Sequence, residues 1–134
     1  MPDRTVAEIE AKHRKILAET LKPRHSILDA GCAWGRLLDL LPEWWDGRYL
    51  GVDLSPDFVK LAQKEHPTRE FVVGNLAAID LPDRFDLAVL ISIRPMIRRN
   101  LGDEAWNVME ANLKRHAKKV LYLEYDAEDG GSLE

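Results

Sequence analysis

Five short and nearly uninterrupted apolar runs constrain the fold of this 134-residue chain more than any other feature. Phe85–Ser92 contains five consecutive apolar residues, and Lys118–Tyr125 contains four. Strands that are apolar throughout, rather than at alternate positions, are typical of a parallel sheet that helices cover on both faces. The remaining three runs are Ser26–Ala30, Arg48–Asp53 and Glu70–Val73.

Helical patterns separate several of these runs. Trp34–Leu41 follows the first run and ends at Pro42, and Asp103–His116 precedes the fifth. Pro56–Glu65 follows the second run, with Ser55 placed to cap the helix. Strands that alternate with helices imply right-handed βαβ crossovers, so the sequence predicts a single doubly wound α/β domain with a five-stranded parallel sheet.

Composition narrows the possible classes of protein. The net charge of −4 argues against a duplex nucleic-acid binder, and no apolar run approaches the roughly 20 residues that span a bilayer. The only cysteine is Cys32 and no two histidines have metal-ligand spacing, so we expect no disulfide, no metal site and a cytoplasmic location. We expect residues 1–129 to form the domain and residues 130–134 to be a flexible tail, whose Leu133 and Glu134 are typical of a vector scar.

Ligands of doubly wound sheets bind beyond the carboxyl ends of the strands, so the residues that follow each strand are the candidate site. The first strand ends in a loop of small residues, Asp29 to Gly35, which lets the backbone turn sharply and approach a ligand closely. The helix expected after it would direct free N–H groups at a nucleotide-like ligand. The alternative is an ordinary strand-to-helix turn.

The second and third strands also end in residues suited to a nucleoside. Asp53 lies 18 residues after Gly35, where a carboxylate can accept both ribose hydroxyls. Asp53 could instead begin the turn into the next helix, but Ser55 already serves as N-cap and would leave Asp53 spare. Asn75 can accept from an exocyclic amine and Leu76 can pack on an adenine face, although asparagine is also a common turn residue.

These residues resemble the Rossmann-like, class I S-adenosylmethionine-dependent methyltransferases. The first motif of that family is an acidic residue and three glycines at every second position, which here reads Asp29, Gly31, Ala33 and Gly35, with alanine for the middle glycine. The later motifs are Gly-Val-Asp-Leu-Ser-Pro around Asp53, Gly-Asn-Leu around Asn75, and Phe85-Asp86-Leu87. The G-x-G-x-x-G pattern of nicotinamide enzymes is not met, because Ala33 and Arg36 occupy two of its positions.

The resemblance covers about Ser26 to Tyr125 and implies S-adenosylmethionine as cofactor, S-adenosylhomocysteine as product and the strand order 3-2-1-4-5. It implies a cofactor site made of Asp29, Gly31, Cys32, Ala33, Trp34, Gly35, Asp53, Leu54, Asn75, Leu76 and Ile91. Family members usually continue with a helix and a β-hairpin, so this chain resembles a short variant with the fifth strand at the sheet edge. An apolar edge invites pairing, and we expect a homodimer there unless the acidic residues Glu124, Asp126, Glu128 and Asp129 keep the edge solvated.

Thr5 and Glu8 form a capping box that predicts an N-terminal helix, which Pro23 would end. The acceptor side of the site is expected on this helix and after the fourth strand. Arg94 and Arg98 could bind a carboxylate or phosphate, and His13 could act as a base, although exposed arginines and a surface histidine are the simpler readings. Catalytic residues are not predicted, because holding a nucleophile in line with the sulfonium methyl can supply much of the catalysis and a general base is optional. Two functions follow: methyl transfer to a small, anionic molecule, or a non-catalytic S-adenosylmethionine-binding module that serves as a sensor or partner subunit.

Overall fold

The computed structural model describes residues 5–125 and 130–134, and its strands form one twisted sheet. The strands are β1 (Ile27–Ala30), β2 (Tyr49–Asp53), β3 (Glu70–Val73), β4 (Phe85–Ile91), β5 (Ala117–Leu123) and β6 (Gly131–Leu133). Their order is β3-β2-β1-β4-β5-β6, with the first five parallel and β6 antiparallel to β5. The predicted α/β class and the order of the first five strands are confirmed.

The helices are α1 (Val6–Thr20), α2 (Pro56–Glu65), α3 (Ile93–Leu101) and α4 (Asp103–His116). The first two begin with a side-chain cap. Thr5 Oγ1 accepts a hydrogen bond from the backbone N–H of Glu8 at 3.1 Å, and Ser55 Oγ accepts one from Phe58 N–H at 3.3 Å. Each cap satisfies a donor that the first turn of a helix leaves without a partner.

Two hydrophobic cores lie on opposite faces of the sheet and explain the continuous apolar strands. Successive residues of a strand point to opposite faces, so Ile27 belongs to one core and Leu28 to the other. The first core contains Leu17 of α1 and Val59 of α2, and the second contains Trp106 of α4. The carboxyl ends of β1 to β5 therefore lie at one edge of a sheet that is covered on both sides.

The predicted helix Trp34–Leu41 is wrong. A 3₁₀ turn at Arg36–Asp39 replaces it, although Leu37 and Leu40 are buried as the apolar pattern requires. Gly35 has a left-handed φ of 88°, so the loop after β1 continues through this residue and only six residues remain before Pro42. A segment of that length allows a single tight turn, which is the usual form of a 3₁₀ helix.

The chain end is a strand rather than the predicted flexible tail. Gly131–Leu133 pairs with β5, and the backbones of Glu134 and Val120 exchange two further hydrogen bonds of 2.6 and 2.7 Å. β5 is therefore enclosed by β4 and β6, so the expectation that it forms an apolar edge, and with it the reason for expecting a homodimer there, is wrong. Of the four acidic residues expected near this edge, Asp126, Glu128 and Asp129 lie outside the described residues.

Candidate active site

A cavity of about 160 Å³ opens where β1, β2 and β3 end. One wall comes from the strand ends and the other from the helices on the same side of the sheet. The strand-end wall includes five of the residues predicted to bind a cofactor, Gly31, Asp53, Leu54, Asn75 and Leu76. The helical wall is apolar and consists of Ile93, Met96, Ile97 and Met109.

Asp53 connects the end of β2 to the loop after β1. Its Oδ2 accepts a hydrogen bond from the backbone N–H of Ala33 at 2.8 Å, and its Oδ1 accepts one from Ser55 N–H at 2.9 Å. The prediction that Asp53 is spare is therefore wrong, because it holds two backbone groups. Ala33 has a left-handed φ of 48°, a conformation that disfavours residues with a Cβ, and the bond to Asp53 holds it there. Each carboxylate oxygen keeps a second acceptor site.

The end of β3 supplies an apolar surface and a turn. Asn75 Oδ1 accepts a hydrogen bond from Ala77 N–H at 3.0 Å, so the side chain builds the turn, as the alternative interpretation of Asn75 held. Asn75 is nevertheless exposed at the cavity, and Leu76 is buried beside it. The cavity thus pairs apolar walls with a carboxylate at its mouth, which is the pattern of a small-molecule site.

Position 31 requires a glycine because the first turn of α3 packs directly against it. A Cβ placed on Gly31 would lie 2.7 Å from Cδ1 of Ile93, closer than carbon atoms pack, and the φ of Gly31 is +79°. The Ile93 side chain therefore rests directly on the loop and closes this end of the cavity. Helix α3 falls in the segment that the sequence left without an assigned structure.

Asp29 lies beneath the loop rather than in the cavity. Its side chain is buried, and the hydroxyl of Tyr49 donates a hydrogen bond to it. Burial raises the pKa of the Asp29 carboxyl to about 7, while the bond from Tyr49 acts in the opposite direction. Tyr49 was missed by the sequence analysis. A tyrosine in a buried strand, two residues before a glycine, was the available signal.

The other predicted cofactor residues lie beside the cavity. Burial raises the pKa of the Cys32 thiol, which makes Cys32 a packing residue rather than a reactive one. The Trp34 ring is partly exposed, with its centroid 6.0 Å from that of Phe58. Gly35 packs against the ring of His66, and Ile91 is half-buried at the end of β4.

The two arginines predicted to bind an acceptor differ in their surroundings. The Arg94 guanidinium lies 3.0 Å from Glu134 and 3.4 Å from Glu124, and 4.0 Å from the centroid of the Tyr122 ring. These contacts tie α3 to β5 and β6. Arg98 forms a single exposed ion pair with Asp103, with Nε 3.3 Å from the carboxylate.

His13 is not a surface residue. It is fully buried, and its Nε2 lies 3.0 Å from the carbonyl oxygen of Glu124, while the ring packs edge-on against Tyr125. Burial lowers the pKa of His13. Its contacts are with the chain that leaves β5, so the structure gives it a packing role and places it away from the cavity walls.

Within residues 5–125 and 130–134, no group of three or more His, Cys, Asp or Glu side chains is placed to hold a metal ion. In the same part of the chain, no helix has the length and apolar character needed to cross a bilayer.

Several known proteins are similar in sequence to this chain. The sequence profile of the family described as "Methyltransferase domain" matches residues 27–119. The chain is 30% identical over 94 residues to the cyclopropane-fatty-acyl-phospholipid synthase of Escherichia coli K12, covering 70% of this chain and 25% of that protein. It is 36% identical over 67 residues to the trans-aconitate 2-methyltransferase of Rhodopseudomonas palustris, covering 48% and 26%. The chain thus spans about a quarter of the length of these curated relatives.

Solved structures show the same fold. The TehB-like SAM-dependent methyltransferase of Corynebacterium glutamicum superposes with a TM-score of 0.68 at 25% identity, covering 89% of this chain and 64% of that one. CalS10, an amino pentose methyltransferase of Micromonospora echinaspora solved with SAM bound, superposes with a TM-score of 0.70 at 17% identity, covering 95% and 54%.

Proposed function

Because this chain belongs to the class I S-adenosylmethionine-dependent methyltransferase family, we propose that it binds S-adenosylmethionine in the cavity at the ends of β1, β2 and β3 and transfers the methyl group to a small-molecule acceptor. One observation carries the proposal. Gly31, Asp53 and Asn75, which lie at the carboxyl ends of three different strands, line the same cavity. A nucleoside with a charged tail binds where the backbone can come close to it, where a carboxylate can accept its hydroxyls and where apolar walls can pack on its base.

The residues present fit this cofactor. Asp53 would accept the ribose hydroxyls with its remaining acceptor sites, and Leu54, Leu76 and Met109 would pack on the adenine. Gly31 carries no side chain at the end of the cavity where the methionine part would lie, and Ile93 packs against it there. The bound cofactor supplies a methyl group on a sulfonium leaving group. The protein's own contribution is to bind and orient, an effect that can reach about 7–11 kcal/mol.

We propose further that the acceptor is small and anionic. A related enzyme is named for trans-aconitate, a carboxylate. Arg98 is the arginine suited to such an acceptor, because its ion pair with Asp103 is exposed and an exposed pair contributes only about 0–1 kcal/mol. An incoming anion could replace Asp103 at little cost. Arg94 is held by two carboxylates and suits this role less well.

Calorimetric titration with S-adenosylmethionine tests the cofactor site, with NAD as the negative control. Asp53→Ala should weaken binding by about 1.5–3 kcal/mol for each charged hydrogen bond lost, which is roughly tenfold or more. Asp57→Ala is the matched control, because Asp57 is an exposed carboxylate in the first turn of α2. Circular dichroism verifies that each variant is folded. Equal affinity of the parent and Asp53→Ala would exclude the ribose assignment.

One observation favours the second function, a non-catalytic binding module. The Ile93 side chain lies directly on Gly31 and narrows the cavity beside the loop. A methyl-transfer screen over small carboxylates, phosphates and neutral amines distinguishes the two functions. Turnover of an anionic acceptor with a raised KM in Arg98→Ala, and unchanged cofactor affinity, supports the enzyme. Tight cofactor binding without turnover of any acceptor supports the module.

A further inference from the structure

The Asp29 carboxyl is a buried acid with little to stabilise its charge. It is 2% exposed, and the Tyr49 hydroxyl donates a hydrogen bond to it. Burial is the largest influence on its ionisation, and the attraction of Arg36 is weaker than the effects of Tyr49 and Asp53. The titratable and charged groups that act on it are Tyr49 and Asp53 of β2, Cys32 of the loop and Arg36 of the 3₁₀ turn.

The position of Asp29 couples it to the cavity. It stands two residues before Gly31, which lines the cavity, and Asp53, also in the lining, accepts a hydrogen bond of 2.8 Å from the backbone N–H of Ala33 in the same loop, so that the negative charge of Asp53 raises the pKa of Asp29. Interactions between charges are strong where water is excluded. A positive charge that enters beside Asp53 therefore favours the ionised form of Asp29, whereas a neutral ligand does not.

We propose that the Asp29–Tyr49 pair makes the site selective for charge, keeping its proton with a neutral ligand and releasing it to solvent when the sulfonium of S-adenosylmethionine is bound. The inference rests on the proposed function. S-adenosylhomocysteine lacks the positive sulfur, so the pair favours the methyl donor over the spent product. Only one covalent bond changes. The carboxyl O–H of Asp29 breaks, its proton passes to the buffer and the anion remains on Asp29.

Tyr49 is the positioning residue of this pair. Its hydroxyl reaches Asp29 past Gly51, where a Cβ would lie 3.0 Å from the Tyr49 oxygen. The hydrogen bond stabilises the carboxylate, so losing it should make ionisation harder. Tyr49→Phe therefore moves proton release to higher pH, whereas a residue with only a packing role would leave the pH dependence in place.

The test is calorimetry of S-adenosylmethionine and S-adenosylhomocysteine binding at pH 6, 7 and 8. Each titration is repeated in phosphate and in Tris, because the difference in heat between the two buffers counts the protons released. We expect up to one proton more for the methyl donor near pH 7. The affinity ratio of donor to product should rise several-fold from pH 6 to pH 8, with a limit of tenfold per pH unit for one proton.

Three variants isolate the source of the protons. Asp29→Asn should abolish the difference in proton release between the two ligands that the parent shows. Comparing the parent with this variant also subtracts any protons that come from the ligands' own amino groups. Tyr49→Phe should shift it upward in pH. Tyr122→Phe is the control, because its hydroxyl bonds Glu110 on the other side of the sheet, and it should behave as the parent.

The outcomes separate this inference from the proposed function. Equal proton counts for the two ligands in the parent overturn the inference, even where Asp29→Asn does not fold. A difference in proton release that persists in Asp29→Asn also overturns the inference. In both cases the cofactor still binds, and the proposed function stands. Absence of binding by either ligand in the parent overturns both.

Discussion

Replacing Asp29 by asparagine should stabilise the protein at neutral pH, which is unusual for a change in a buried motif. The folded state raises the pKa of Asp29 from 3.8 to about 7. Folding then favours the protonated acid, so its contribution is fully present below about pH 4 and is lost as the pH rises toward 7. Asparagine has no proton to lose and is free of this pH dependence.

The magnitude follows from the pKa change. About three pH units at 1.36 kcal/mol each correspond to about 4 kcal/mol of lost stability above pH 7, as an upper bound. Asparagine keeps an oxygen that can accept from Tyr49, but its buried amide N–H groups cost about 1–3 kcal/mol. The net expectation is a gain of about 1–3 kcal/mol above pH 7 and a loss below pH 4.

Urea unfolding followed by circular dichroism at pH 4, 5.5, 7 and 8 measures this difference. Asp86→Asn is the control with the opposite sign. The backbone N–H of Ser26 lowers the pKa of Asp86, so that carboxylate stabilises the protein at higher pH and ceases to do so on acidification. Parallel curves of unfolding free energy against pH for the parent and Asp29→Asn would refute the reasoning, because they would mean that Asp29 ionises normally when buried.

Three further predictions concern packing and the sheet edge. Gly51→Ala places a Cβ 2.6 Å from the Phe71 ring and 3.0 Å from the Tyr49 oxygen, so thermal unfolding should show a loss of about 1–3 kcal/mol; an unchanged Tm would contradict the contact. Removing residues 130–134 uncovers β5 and should cause self-association in sedimentation velocity, whereas a monomeric truncated chain would mean that β6 protects no edge. Because burial raises the pKa of Cys32, its thiol should react with a disulfide reagent only after unfolding, and rapid reaction of the native protein would argue against its burial.

Most of the fold could be predicted because its signals are local. The runs that became β1 to β5 are apolar at consecutive positions, as burial on both faces demands. The helices Pro56–Glu65 and Asp103–His116 each bury an apolar face, and Ser55 caps the first of them. The 3₁₀ turn after Gly35 could not be predicted, because the length of the loop depends on where Ala33 meets Asp53. The β6 strand was missed because Gly-Gly-Ser resembles a linker until β5 offers it a partner.

The candidate site divides in the same way. Gly31, Asp53 and Asn75 were predicted from their places at the ends of strands, since topology alone brings strand ends together. Tyr49 and Ile93 act through contacts with residues 20 and 62 positions away in the chain, and spacing within a motif carries no information about them. The partners of Arg94 are likewise set by the folded path of the chain end.

The contact between Gly31 and Ile93 couples amino-acid substitutions at two positions that are distant in the sequence. A methyl group at position 31 collides with the δ-carbon of Ile93. The effect of substituting both positions therefore depends on which of them changes first. A lineage that shortens position 93 first, for example to valine, lowers the barrier for a side chain at position 31, whereas the reverse order passes through a strained intermediate. Sequence drift through this pair is therefore directional, although the left-handed φ of Gly31 strains any side chain at position 31 whatever residue 93 is.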